Sequence, residues 1–284
     1  MNMTVQQGRR FPRSLRLAAA IAATLLGLGA APAGAQAQSF EELRRNGRIV
    51  VGIQGENPPW GFVDSTNQSV GFDADVANLL GRKIGVPVQF ERVAVANRIP
   101  ALMTGKVDAL IAIMGMYPDR AKVVQFTKPY SAIDIILLGK PETRIAAPAD
   151  LKGLRIAVAR ASAQDKAISA AAPADAVIQR FDDDSTAIQA YLAGQVDVLG
   201  ANNTYLLSIA KVAPDARFET KLQFNRQYNG ISVRPGKKQY VEELNAFIDE
   251  IRANGQLQAI YRRWLGQDMP EFPGSLPDIP FAVN

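Results

Sequence analysis

From residue 39 onward, short apolar runs alternate with longer segments in which apolar positions recur every three to four residues. Residues 48–53, 88–92, 107–113 and 133–138 are β-branched or aliphatic runs too short for helices, and they predict strands. Between them, 72–84 carries its apolar residues on one helical face, and 98–104 predicts a shorter helix. A second series follows, with strands at 155–158, 177–181 and 196–199 separated by helices at 162–171 and 185–192. A strand-like 228–234 and helices at 239–253 and 256–265 complete the pattern. Strands alternating with helices predict βαβ units and parallel sheets covered on both faces. The fold class is α/β.

Part of the first series recurs in the second. The segment IPALMTGKVDALIA (99–112) aligns with IQAYLAGQVDVLGA (188–201), 89 residues on, with seven of fourteen positions identical. In each copy a helix ends at a glycine, Gly105 or Gly194, which takes the left-handed cap at no steric cost. Asp108 and Asp197 read as polar stops at the start of a strand. Two copies of one helix–strand unit predict two lobes of similar architecture. A chain that leaves the first lobe near 131–140 and returns near 230–236 would join them by two crossovers.

The chain has 284 residues, a length suited to about two domains. It has no Cys and no His, which excludes Cys- or His-ligated zinc, haem thiolate, a Ser-His-Asp triad, a Cys nucleophile and disulfides. No metal site and no cofactor are expected. The 32 basic and 27 acidic residues give +5, but the balance changes once the N-terminus is read. Arg9, Arg10, Arg13 and Arg16 precede the uncharged Ala/Leu-rich stretch 17–33, and Ala35-Gln36-Ala37 follows. This is the pattern of a cleavable secretory signal peptide over 1–37. Removing it takes four arginines and no acid, leaving 28 basic against 27 acidic residues, +1. Nothing then favours nucleic acid or an anionic membrane as partner. The absence of Cys after the cleavage site excludes a lipoprotein, so the expected location is the periplasm.

The motifs RIVVG (48–52), PPWGF (58–62), VGFDAD (70–75), IPAL (99–102) and GKVD (105–108) are followed by DR (119–120) and FTKPY (126–130). DLKG (150–153), GQVD (194–197) and GISVR (230–234) continue the series. In this order they resemble the polar amino-acid branch of the extracellular solute-binding proteins, family 3, which serve ABC importers. The resemblance implies a type II periplasmic binding protein fold: two lobes, a two-strand hinge and a ligand cleft between them. The lobes are expected at 38–137 with 232–284, and at 138–231. Ligand binds the closed form better and shifts the population toward it. The implied partners are a small-molecule ligand and the permease and ATPase of an importer, and the implied state is a monomer.

The resemblance also assigns site residues. Arg120, in the Asp-Arg pair, is expected to clamp a ligand carboxylate through its planar fork. Met114 and Gly115 stand where the family often has Met followed by a hydroxyl residue, so Gly115 loses that contact and leaves only backbone groups. Trp60, beside Pro58-Pro59, is expected as an exposed ring against the ligand's side chain. Arg98, in Asn-Arg-Ile-Pro, matches a subset in which the Arg meets a distal carboxylate. Ser162 opens a helix where hydroxyl and free N–H groups suit an anion, and Arg160 precedes it. Asn202 replaces the usual Asp and so offers no charge to an α-amino group; the acidic run at 182–184 is a candidate substitute, though an acidic helix start accounts for it as well. Counting Arg98, Arg120 and Arg160, the expected ligand is an amino acid or derivative rich in carboxylates. No catalytic residue is assigned. The alternative is a cyclohexadienyl or arogenate dehydratase-like enzyme on the same fold, and a sensor's ligand domain is a third reading. The Pro-rich end, 270–280, is read as covering the first lobe or fraying.

Overall fold

The computed structural model describes Met1 and residues 39–283; the expected signal peptide, 1–37, lies outside the described residues apart from Met1. Ser39 caps the first helix, α1 (Phe40–Asn46), by accepting from the Glu42 N–H, and Gly47 ends it at φ 70°. Then come β1 (Ile49–Ile53), a small hairpin sheet of β2 (Glu56–Asn57), β3 (Gly61–Val63) and β4 (Ser69–Val70), α2 (Phe72–Ile84) and β5 (Val88–Arg92). The first series closes with α3 (Arg98–Met103), β6 (Ala109–Leu110), α4 (Pro118–Ala121) and β7 (Gln125–Gly139). The second runs through β8 (Arg155–Ala159), α5 (Ala163–Ala171), β9 (Val177–Phe181), α6 (Asp184–Leu192), β10 (Val198–Asn202) and α7 (Tyr205–Val212). The chain returns along β11 (Glu219–Val233) into α8 (Lys238–Ala253) and α9 (Gln256–Leu265).

Among the described residues, one sheet has the order β5-β1-β6-β11-β7-β10-β8-β9. Its first half is parallel β5, β1 and β6 with antiparallel β11 beside β6; its second is parallel β9, β8 and β10 with antiparallel β7 beside β10. The halves are related by exchanging β7 and β11. These two strands, each 15 residues long, pair with one another through both halves. They are longer than predicted because polar positions such as Asp134 and Arg226, which form an ion pair across the two strands, interrupt the apolar pattern that marks a strand in sequence.

Each half has apolar cores on both faces of the sheet. Leu43, Val51, Leu80, Leu244, Phe247 and Tyr261 pack on one face of the first half, and Leu102, Leu110, Met114 and Phe126 on the other. In the second half, alternation along β7 sends Ile136 and Leu138 to one cluster and Leu137 to the opposite one. After α9 the tail neither frays nor forms a helix. Met269 and Phe272 pack against the first of these cores, while Leu276, Ile279 and Phe281 pack against the second. Gln125 donates to the Pro280 carbonyl and Asn245 to that of Phe281.

The repeat has a shared geometry. Gly105 and Gly194 end α3 and α6 at φ 77° and 73°. Asp108 then accepts from the Val50 N–H and returns its own N–H to the Val50 carbonyl. Asp197 does the same with Arg155 at the start of β8, adding two bonds from the Arg155 guanidinium. Both aspartates fasten a helix–strand turn to the neighbouring parallel strand. Asp108→Ala leaves the half-buried Val50 N–H without its acceptor and is expected to lower the unfolding free energy by about 1–3 kcal/mol. Asp197→Ala costs less because its pair is exposed to solvent. Urea unfolding of the two variants checks the order.

Candidate functional site

The C-terminal ends of β1 and β6 in one half of the sheet face the starts of α5 and α6 in the other. The predicted strand at 107–113 is laddered only as Ala109–Leu110, because the backbone beyond it is taken up by the site. Asp73, in the first turn of α2 and fully buried, accepts from the Ile113 N–H at 2.9 Å and from the Tyr130 hydroxyl at 2.8 Å. Burial pushes its carboxyl up to about 7, against the lowering effect of these bonds. Ile113 takes a left-handed φ of 46°. Its carbonyl and that of Ala112 accept from Arg98 Nη1 at 3.2 and 2.9 Å, while Arg98 Nε donates to the Val95 carbonyl. Arg98 Nη2 makes none of these bonds. Burial pulls the Arg98 pKa down, and the nearby Arg120 adds to this; the Asp184 and Asp73 carboxylates pull it back up.

Of these residues Val95, Arg98 and Ile113 stand on the wall of a small cavity between the halves, about 20 Å³ in volume. It is walled by two charged groups, Arg98 and Asp184; by the amides of Gln54, Asn57, Gln164, Asn202 and Gln227 and the Ser162 hydroxyl; and by apolar Val95, Ile113, Ile133 and Ala163. Asp184 begins α6, with Asp183 as its N-cap accepting from the Thr186 N–H. The Asp184 carboxylate accepts from Gln54 across the cleft, from Gln164 at 3.0 Å, and from the Tyr205 hydroxyl. Burial raises its pKa, while the Tyr205 bond and the Arg98 charge oppose the rise. Ser162 caps α5 by accepting from the Asp165 N–H, after Ala161 at φ 58°.

Of the residues expected at the site, Arg98, Ser162 and Asn202 stand on the cavity wall. Trp60 is not the exposed ring expected: it is fully buried, packed in a tilted contact against Phe72 with ring centroids 4.8 Å apart, and its indole N–H donates to Thr204 across the cleft. The apolar ring is better covered by the α2 core than by solvent, and its one polar atom finds an acceptor in the other half. Met114 is also core, in one buried cluster with Phe126, and does not line the cavity. Gly115 makes room: a Cβ there would lie 2.4 Å from the Gln227 carboxamide carbon, so the Gln227 side chain fills the space a hydroxyl residue would take. Its backbone is not free, since the Gly115 carbonyl accepts from Arg120. Arg120 spans the cleft rim, donating to the Gly115 carbonyl at 3.0 Å and to Ala161 in the other half at 2.9 Å, over the Tyr117 ring. Arg160 is exposed, donating to the Arg180 carbonyl and facing Asp182 at 3.9 Å. The cavity amides Gln54, Asn57, Gln164 and Gln227 carry no motif of their own in the sequence. Gln164 alone had a local signal, lying two residues past the Ser162 cap.

A mixed sheet in two halves, spanned by two long strands with a polar cavity between them, defines a two-lobed α/β ligand-binding protein. Residues 49–267 match the family described as bacterial extracellular solute-binding proteins, family 3, and the chain belongs to that family. The glutamine-binding protein GlnH of a Bacillus subtilis ABC transporter is 27% identical over 248 residues, covering 86% of this chain and 90% of its own. The ABC transporter arginine-binding protein 1 of Escherichia coli K12 is 30% identical over 224 residues, covering 78% and 91%. Among solved structures, the ancestral amino acid-binding protein AncCDT-1, a precursor of cyclohexadienyl dehydratase, aligns with a TM-score of 0.73 at 27% identity, over 79% of this chain and 98% of its own. Among the described residues no helix is long and apolar enough to cross a membrane.

Proposed function

We propose that the protein is the substrate-binding component of an ABC importer for an amino acid or a close derivative. In this reading it is exported to the periplasm by a signal peptide at 1–37, acts as a monomer and delivers its ligand to a permease and its ATPase. Its lobes are 38–137 with 232–284, and 138–231, the crossovers running within β7 and β11. The observation that carries the reading is the cavity with Arg98 and Asp184 on its walls. One cation and one anion, surrounded by amides, match the two charges of a zwitterion. Of the three arginines that favoured an acid-rich ligand, only Arg98 is on the wall, and Asp184 offsets it; a single-carboxylate amino acid therefore suits the cavity better than a dicarboxylate. Asp184 supplies the anionic acceptor for an α-amino group that Asn202 lacks. We read the protein as a binder rather than an enzyme, a reading supported by its similarity to amino-acid-binding proteins of ABC transporters.

The test is a thermal-shift screen of unfolded and refolded protein against the amino acids, small dicarboxylates and prephenate. At 100 Kd of ligand the expected stabilisation is about 2.7 kcal/mol. A hit confined to dicarboxylates, or phenylpyruvate formed from prephenate, refutes this reading. Titration calorimetry on the hit then has a defined pH dependence. The Asp184 pKa is raised in the empty cavity, and an ammonium group needs the ionised form. Affinity should fall with acidification from above the ordinary carboxylate range; a profile flat down to pH 4 contradicts the Asp184 assignment.

A further inference from the structure

Three donors fix the direction of a hydrogen-bond chain across the cleft. The Trp60 indole N–H can only donate, and it lies 2.9 Å from Thr204 Oγ1. The Thr204 backbone N–H can only donate, and it lies 2.9 Å from the Asn202 side-chain oxygen, which fixes the orientation of that amide. The Thr204 hydroxyl, accepting from Trp60, must then send its own proton to the same Asn202 oxygen. The chain runs from Trp60 in one half, through Thr204, to Asn202 on the cavity wall of the other. All three residues are buried. Nearby, Ser208 donates to the Pro58 carbonyl at 2.6 Å, so the segment before Trp60 is held to α7 as well. The Asn202 oxygen is occupied twice, and its amide N–H groups are what it can turn to the cavity.

We propose that Thr204 is a positioning residue for closure of the cleft: its hydroxyl latches Trp60 to Asn202, holding the halves together through protein–protein bonds that need no ligand. The inference rests on the reading that the two halves open and close. Residue 202 then has a dual place, its oxygen in the latch and its nitrogen at the cavity. Opening exchanges the Trp60–Thr204 bond, the one of the hydroxyl's two bonds that spans the halves, for bonds to water, while the bond to Asn202 stays within its own half. Removing the hydroxyl leaves the indole N–H unpaired in the closed form alone, since water reaches it in the open one.

The experiment uses ligand-free protein in a Trp264→Phe background, where Trp60 is the sole tryptophan. Thr204→Val keeps the shape and removes the hydroxyl; Thr204→Ser restores it. Acrylamide quenching of Trp60 and small-angle scattering read the open fraction. Thr204→Val is expected to raise the quenching constant several-fold and to enlarge the radius of gyration, and Thr204→Ser is expected to match the parent. Unchanged quenching and size in Thr204→Val overturn the latch, as does equal opening in Thr204→Ser. If Thr204→Val lacks a cooperative melt, Trp60→Phe, which deletes the donor together with part of the buried ring, is measured by scattering against the same two outcomes. A ligand found with the wild-type protein, together with no response to Thr204→Val, removes the latch and leaves the binding function standing.

Discussion

Replacing Asp184 by Ala is expected to weaken binding of the amino acid found in the screen roughly a hundredfold, about 3 kcal/mol. Two effects add. The ligand's ammonium loses a charge-assisted acceptor, a carboxylate that is itself buried. Arg98, buried and bonded to three backbone carbonyls, also loses one of the two carboxylates that support its charge. Asp184→Asn separates the charge from the shape: the side chain still offers one oxygen to Tyr205, but its nitrogen competes with Gln164 and Gln54, which are donors. Titration calorimetry should therefore rank the wild type well ahead of Asp184→Asn, with Asp184→Ala at or below it. Equal affinity for wild type and Asp184→Asn would mean that no cationic group of the ligand meets this carboxylate.

The architecture was legible because it rests on patterns that local sequence carries. The duplicated helix–Gly–Val–Asp–strand unit predicts two similar halves, and the halves do share it, down to the aspartates that bond the next strand. The cavity was less legible, for a physical reason. A side chain turned into a cleft leaves no periodicity, and its neighbours come from segments far apart in the chain. Gln54 meets Asp184 across 130 positions, and Trp60 meets Thr204 across 144. Residue type misled in two ways. An aromatic after Pro-Pro suggested an exposed platform, yet the indole is core. Arginines were counted as free charges, yet Arg120 divides its donors between two backbone carbonyls and Arg160 lies on the surface. The acidic run at 182–184 offered a helix-start explanation for all three residues; the structure separates Asp183, the cap, from Asp184, on the wall.

Asp73→Ala is expected to be the most damaging single change to stability, at about 3 kcal/mol, and to lower Tm by roughly 6–12 °C. The loss arises because the Ile113 N–H and the Tyr130 hydroxyl would both remain buried without their acceptor. The same bonds hold Ile113 at its left-handed φ, and Ile113 and Ala112 in turn present the carbonyls that seat Arg98. Damage at Asp73 should therefore reach ligand affinity without any direct contact. Its titration adds a second signature. Burial raises the folded pKa to about 7, above an unfolded value of about 4, so the native state holds the proton where the unfolded chain has released it. That contribution to stability is complete below about pH 4 and is lost as the pH rises toward 7. Asp73→Asn resembles the protonated acid: its oxygen can accept from Ile113 and its nitrogen can donate to Tyr130. It should retain most of the wild-type stability and lack this site's share of the decline between pH 4 and 7. Urea unfolding across that range for the wild type, Asp73→Asn and Asp73→Ala decides the matter. A Tm within 2 °C of wild type for Asp73→Ala, or an identical pH slope for Asp73→Asn, would remove Asp73 as the anchor beneath the cavity wall.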